Sequence, residues 1–528
     1  MRTPRRIWRA AALAGAAVLA VTGCAAAGGE QGDVERLYVE AIGGDPPMLN
    51  PQFTSNPITQ RVAHSMLEPL VGITGDLELF PVLAEEWEFS DDNQQVTFSL
   101  REGVTWHDGE PFTAEDVKFN FEEILPFDVV GAALAERVVA VETPDDHTVV
   151  VDLDGEYGPL LETLATQFML PKHVYEGTDF LTNPANLAPV GTGPLVFDSF
   201  TSGEEVVVVK NENWWKGPTE VDRAVFKVIG DTNARALALF SGELDLSTVP
   251  PSQQDEVEAN PDTEQLVDGY FPVWMYVSMN TRSGPLADPA VRGLVYSAID
   301  RERITEIALK GMGTPATSFI PPAMDWAVHP DIDFDELFPL DIDAINEGLD
   351  EAGYPVQGDG TRFTLDVRAI TGIVDIDPAI EIMRSTMETV GIRLNVVTGV
   401  NAVYTESVFT QHDFDLSIQR STLGADPSLG ITHWFTCNPD SVAGRNPTGM
   451  CDEQIDAAAE AALTAADRDV RAQHLYDLQE RAAELIFHAP IAWSLATHQT
   501  INTSRWQGMD NPDRAAGTID WGGMTWVG

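Results

Sequence analysis

The chain has 528 residues, 44% of them hydrophobic, and carries 83 acidic against 31 basic side chains for a formal net charge of −52 at pH 7. That charge excludes a nucleic-acid partner, whose phosphates demand the opposite sign, and is read as the solubility of an exported surface rather than as a site. A hydrophobic fraction of this size over this length builds a large core divided among two or three domains.

Arg2, Arg5, Arg6 and Arg9 precede an apolar run from Ala10 to Val21, which is too short to span a bilayer and has the charged-then-apolar order of an export signal. Val21-Thr22-Gly23-Cys24 follows, an aliphatic residue and two small ones ahead of a cysteine. This is the pattern at which a lipoprotein signal peptidase cuts once the thiol is lipidated. Residues 1–23 are therefore expected to be a signal peptide, Cys24 the lipidated first residue, and residues 24–35, small and polar, a flexible tether. An ordinary signal cut nearby is the plainer alternative. No other segment holds about 18 consecutive apolar residues, so the expected anchor is lipid alone, on the outer face of the cell membrane. Of three cysteines, Cys437 and Cys451 are left as a pair, expected as a disulfide that contributes about 3 kcal/mol through the unfolded state. A metal site is the competing reading, but two cysteines fall short of a ligand set; no metal and no cofactor are expected.

In chain order, residues 36–42 have a strand pattern and run into Gly43-Gly44-Asp45-Pro46-Pro47, which forms a turn or loop. A helix is expected from about Ile58 to Leu67. Residues 86–100 alternate across Asp91-Asp92-Asn93 as a hairpin. Thr113 caps a helix with Glu115 and Asp116 in its first turn and an apolar face of Val117, Phe119, Phe121 and Ile124. Asp288-Pro289 and Asp377-Pro378 each start a helix with a capping acid and a proline. Long helices follow at about 452–464 and 468–487, and then strand-like Ile491 to Leu495. Strands and helices mix throughout, without a fixed repeat or a long linker, so the class is α/β with tightly connected lobes.

Leu100-Arg101-Glu102-Gly103-Val104-Thr105-Trp106-His107-Asp108-Gly109-Glu110-Pro111-Phe112-Thr113-Ala114-Glu115-Asp116-Val117 resembles the signature of the family 5 solute-binding proteins, the peptide- and nickel-type receptors of ABC importers. Further pieces recur in the family's order: Gly191-Thr192-Gly193-Pro194, Asn211-Glu212-Asn213-Trp214-Trp215, Ser241-Gly242-Glu243-Leu244-Asp245, Asp288 to Arg301, Leu349 to Tyr354, Val390-Gly391-Ile392 and Phe414-Asp415-Leu416. Read from the residues, these motifs are scaffold: Gly103 and Gly109 suit turns, Trp106 and Phe112 pack between them, and His107 is a hydrogen-bonded structural residue.

The resemblance implies a bilobed, type II periplasmic-binding-protein-like fold of the cluster C kind, with crossovers near 276–281 and 488–493. Lobe I then comprises residues 36–50, 189–277 and 492–528, with residues 51–188 as its inserted subdomain and residues 278–491 as lobe II. It also implies a receptor, not an enzyme: a monomer that closes on a peptide or similar small solute and delivers it to permease subunits with their ATPase. The disulfide falls where dipeptide receptors carry one.

Ligand contacts are expected in residues 44–50, in Tyr270 to Met279 and in Ile418 to Phe435, since concave sites combine aromatic walls with a few placed polar groups. The candidates are Trp274, Tyr276, Arg420, Asp426, Trp434 and Arg445, each with packing or a surface role as the plainer alternative. Peptide-binding members hold the ligand's α-amino group with the Asp of a Gly-Trp-x-x-Asp stretch. Here residues 419–427 read Gln-Arg-Ser-Thr-Leu-Gly-Ala-Asp-Pro, so the tryptophan is missing and Asp426 abuts a proline that commonly initiates a turn. The family's carboxylate-binding arginine has no clear match in 369–374; Arg368 lies in the strand. An oligosaccharide, opine or metal chelate is the alternative cargo. A secreted hydrolase is disfavoured because Gly-x-Ser-x-Gly, Ser-x-x-Lys, His-Glu-x-x-His and a phosphate loop are all missing.

Overall fold

A computed structural model of the chain describes residues 35–128, 130–266, 272–494, 499–511 and 514–528. The expected signal peptide, the Cys24 attachment site and all of the tether except Glu35 lie outside the described residues, as do Tyr270, Phe271 and Leu495.

Three larger sheets organise the described residues. The first has seven strands, in the order Thr263–Gln265, Gln499–Asn502, Leu246–Thr248, Leu37–Ile42, Arg223–Val228, Glu205–Lys210 and Leu195–Thr201. Successive side chains of a strand point to opposite faces, so Tyr38 and Ile42 enter one core while Val39 and Ala41 enter another. This sheet is therefore covered on both sides. The second sheet has four antiparallel strands, Ala84–Phe89, Gln95–Leu100, Thr148–Leu153 and Val138–Asp145, and contains the expected hairpin. Its inner face packs Val96, Phe98, Val149 and Val151 against Trp106, Phe112 and Val117.

The helix opened by Thr113 is α-helical only over Ala114–Phe119 and widens to a π turn over Asn120–Ile124. At the start of that turn the Asn120 amide donates to the Leu170 carbonyl at 2.7 Å and accepts from the Leu170 N–H at 2.9 Å. Its apolar residues are consequently split, with Val117 and Phe121 in the subdomain core and Phe119 and Ile124 in the core of the first sheet.

The third sheet has six strands, in the order Gly313–Pro315, His488–Ser494, Val273–Met279, Leu416–Thr422, Phe363–Ile370 and Ile392–Gly399. All seven residues of Val273–Met279 are buried, because the strand is paired on both edges and covered on both faces. The joints expected at 276–281 and 488–493 are thus interior strands of this sheet. The chain leaves the first sheet after Gln265, enters the third at Val273, leaves it at Ser494 and is back in the first at Gln499. Asp288 caps Pro289–Ser297 as expected. The helix expected to begin at Asp377-Pro378 instead spans Ile376–Thr389 with Asp375 as its N-cap residue. The late helices are Glu453–Thr464 and Arg468–Leu485, and Cys437 is bonded to Cys451.

Candidate functional site

The signature motifs converge on a joint between the subdomain and the first sheet. His107 receives the Gly191 N–H on Nδ1 at 3.1 Å, and its Nε2 meets the Gly193 carbonyl at 3.1 Å. Burial lowers its pKa to about 4, so the imidazole is neutral. Glycines are required at 191 and 193, where a Cβ would lie 1.9 and 2.8 Å from the Met66 backbone. Glu68, buried beside them, accepts from Thr192 Oγ1 at 2.8 Å, Trp214 Nε1 at 3.0 Å and Trp215 Nε1 at 2.9 Å. Burial nevertheless raises the Glu68 pKa, since desolvation outweighs the three donors. These groups hold walls in place; their bonds are spent within the protein.

Trp274, Tyr276 and Trp434 come together. Trp274 and Tyr276 are two apart on one strand and stack at 3.8 Å, while Trp434 meets them edge-on at 6.4 and 5.3 Å. Trp493 stacks on Trp274 from the paired strand at 6.1 Å. Trp274 and Tyr276 are both fully buried, so the expected aromatic wall forms part of the core around the third sheet. Asp426 is also buried. It caps Pro427–Phe435 by accepting from the Ser428 N–H at 2.8 Å, and it faces Arg471 at 3.6 Å; its charge is matched within its own lobe. Arg445 is exposed in the loop closed by the disulfide and does not join the others.

Arg420 leads to a group that the sequence does not single out. Its Nη1 donates to Asp375 Oδ2 at 2.7 Å and its Nη2 to Ser494 Oγ at 3.0 Å. Asp375 has only 2% of its side chain exposed, and its Oδ1 has no hydrogen-bond partner. Asp375 follows the strand Phe363–Ile370, which runs parallel to Leu416–Thr422. The carboxyl ends of parallel strands are where open α/β sheets bind ligands. The same edge carries Val273, Thr422 and Ser494 in register.

Residues 425–466 also touch the region around the second sheet. The Gly158 N–H donates to the Leu463 carbonyl at 2.8 Å and the Ala466 N–H to Glu156 at 3.1 Å, while Ala425 and Leu429 enter the subdomain core. A separate cavity of about 500 Å³ lies among Glu68, Phe80, Phe168, Trp214 and Trp521; among the described residues, none from the third sheet lines it.

Residues 78–441 match the family described as "Bacterial extracellular solute-binding proteins, family 5 Middle". The chain belongs to this family. Heme-binding protein A of Haemophilus influenzae is 27% identical over 87% of this chain and 85% of its own length. The glutathione-binding protein GsiB of Salmonella typhi is 30% identical over 62% of this chain, an alignment that spans 63% of that protein. Among solved structures, the ABC transporter substrate-binding protein CtaP of Listeria monocytogenes superposes with a TM-score of 0.81 at 23% identity, covering 94% of this chain and all of that one. The family 5 protein is bilobed, works outside the cytoplasm as a solute receptor of an ABC importer, and is not an enzyme.

Asp375 is illegible in the sequence because Asp377-Pro378 is the stronger helix-start signal and leaves Asp375 in the loop before it. Its side chain makes no cap bond and turns to Arg420 instead.

Proposed function

We propose that this receptor captures a short peptide or peptide-like solute whose ammonium end is held by Asp375. The supporting observation is the buried carboxylate oxygen Oδ1, left without a donor beyond the carboxyl ends of two parallel strands; such an atom costs free energy until a donor reaches it. Arg420 orients the carboxylate through Oδ2 and leaves Oδ1 for the ligand. Asp426, which occupies the family's anchoring stretch, is committed to its helix cap and to Arg471. Glutathione, for which one relative is named, is a tripeptide with a free ammonium group. Haem is the second reading, favoured by the longer alignment with the haem-binding relative. In this reading the mature protein acts as a monomer, tethered to the outer face of the membrane through lipid on Cys24, and hands its solute to the permease.

Calorimetric titration with glutathione and trialanine, and with their N-acetylated forms, tests the assignment. Asp375→Asn should weaken the free-ammonium ligands at least about tenfold, equivalent to about 1.4 kcal/mol, and leave the acetylated forms unchanged. Equal affinity of variant and wild type for free trialanine would remove Asp375 from the site. Stoichiometric haem uptake with no peptide binding would replace the peptide reading by the second one.

A further inference from the structure

We propose that the cavity of about 500 Å³ beside Glu68 is a binding site for a small organic cation, with the Glu68 carboxylate as its counter-charge. The site is separate from Asp375 and does not depend on which solute is captured there.

The cavity lies between the hairpin of Val71–Ile73 and Leu79–Pro81, the helix Pro57–Ala63 and residues 511–523. Its walls are fixed by the fold. Gly72 stands opposite Phe80 in the hairpin, and a Cβ on Gly72 would lie 2.2 Å from the Phe80 ring, so glycine is what lets that ring lie across the strand. The Ala516 N–H donates to the Ile73 carbonyl at 2.8 Å, and Arg61 Nη1 donates to the Gly517 carbonyl at 2.7 Å. These bonds tie the C-terminal segment to both the hairpin and the helix. Trp521 packs edge-on against Tyr38 at 5.1 Å, and Phe168 meets His64 edge-on at 4.8 Å. With Trp214, buried and pinned to Glu68 through Nε1, four aromatic side chains border the space. Its volume falls within the range of ligand pockets, about 300–1,000 Å³.

The charges of the lining select the sign of the ligand. Glu68 is 7% exposed, and its three hydrogen-bond partners, Thr192, Trp214 and Trp215, are neutral donors. The bonds that hold the walls therefore leave its charge unmatched, and a buried charge gains from a partner of opposite sign. The other ionisable groups of the lining do not supply one. His64 is neutral, because burial and then the charge of Arg61 lower its pKa to about 3. Arg514 donates to the carbonyls of Thr518 and Asn511 at 3.0 and 2.5 Å and is drawn to Asp520, so those two offset each other. Lys216 is exposed, with its ammonium 5.6 Å from the Trp214 ring and 4.9 Å from the Trp215 ring. It shows that these faces attract a cation, and it stays in water. An organic ammonium ion entering the cavity gains both the aromatic faces and the carboxylate. An anion meets Glu68 and the negative ring faces, and a neutral solute gains neither attraction.

Calorimetric titration tests the site with choline, with tetramethylammonium, and with the uncharged isostere of choline in which carbon replaces the nitrogen. The wild type should bind both cations, and the isostere at least about tenfold more weakly. Glu68→Gln, whose carbonyl still accepts two bonds, should weaken choline at least about tenfold. Phe80→Ala should lower the affinity for choline in the same direction and decides the question if Glu68→Gln does not fold. Lys216→Met removes the competing cation and should tighten choline about twofold, a gain that damage to the fold would not produce. Asp375→Asn should leave choline binding unchanged, whatever its effect on peptides. No choline binding by the wild type at millimolar concentration, equal affinity for the uncharged isostere, or undiminished binding in Glu68→Gln would overturn the proposal. So would loss of choline binding in Asp375→Asn, which would put the cation at the third sheet.

Discussion

Replacing Glu68 by leucine tests whether the family signature is a structural joint. The substitution strands three donors: Thr192 Oγ1, Trp214 Nε1 and Trp215 Nε1. An unpaired buried donor costs about 1–3 kcal/mol. Trp214 is buried and should bear that cost in full, the Thr192 hydroxyl can rotate toward another acceptor, and the half-buried Trp215 can reach water. Against this stands the recovered desolvation of a carboxylate whose pKa burial has raised. The balance is a loss of about 2–4 kcal/mol for Glu68→Leu, and about half of that for Glu68→Gln, whose carbonyl still accepts two bonds. Urea unfolding followed by tryptophan emission measures it, with exposed Glu86→Gln as the reference within about 0.5 kcal/mol of wild type. The emission is informative because two of the stranded donors are indoles. A Glu68→Leu midpoint indistinguishable from that of Glu86→Gln would refute the joint.

Arg420→Gln leaves Asp375 buried beside a neutral amide and should destabilise the protein by about 3 kcal/mol, measured by the same unfolding; a loss below about 1 kcal/mol would mean that the carboxylate finds another cation. Exchanging Cys437 and Cys451 for serine together should cost about 3 kcal/mol, read as the shift between the double variant and the oxidised wild type. His488 is lowered to about 3 by burial, so it is neutral when folded and protonates near 6.5 when unfolded. Its contribution to stability is complete above about pH 6.5 and fades as the pH falls toward 3. Histidine-selective NMR should show no His488 titration between pH 5 and 8, and a midpoint near 6.5 would contradict the burial argument.

The elements legible in the sequence are those specified by local signals. The 86–100 hairpin, the Asp288 cap and the late helices fall within a few residues of their expected places, because alternation, capping and helical periodicity act over short spans. The passages between lobes are different. Residues 273–279 read as an aromatic stretch fit for a ligand wall, and only the pairing of Val273–Met279 with strands from residues 416–422 and 488–494 makes them interior. That pairing is a long-range fact. The same limit applies to the site. Trp274, Tyr276 and Trp434 were expected to meet and do, yet they meet in a core. Asp426 has the right residue type in the right stretch, but the proline after it starts a helix, and the cap takes its oxygen. Asp375 acquires its setting from Arg420, a partner that lies 45 residues away.

Capture of a solute between two closing lobes is tested most directly by native mass spectrometry of the freshly purified protein, paired with small-angle scattering before and after mild unfolding and refolding to strip the cargo. The account predicts a mass excess of one small molecule that disappears on stripping, together with an increase in the radius of gyration that reverses when the recovered molecule is added back. A stripped protein with an unchanged radius of gyration, with and without that molecule, would contradict it.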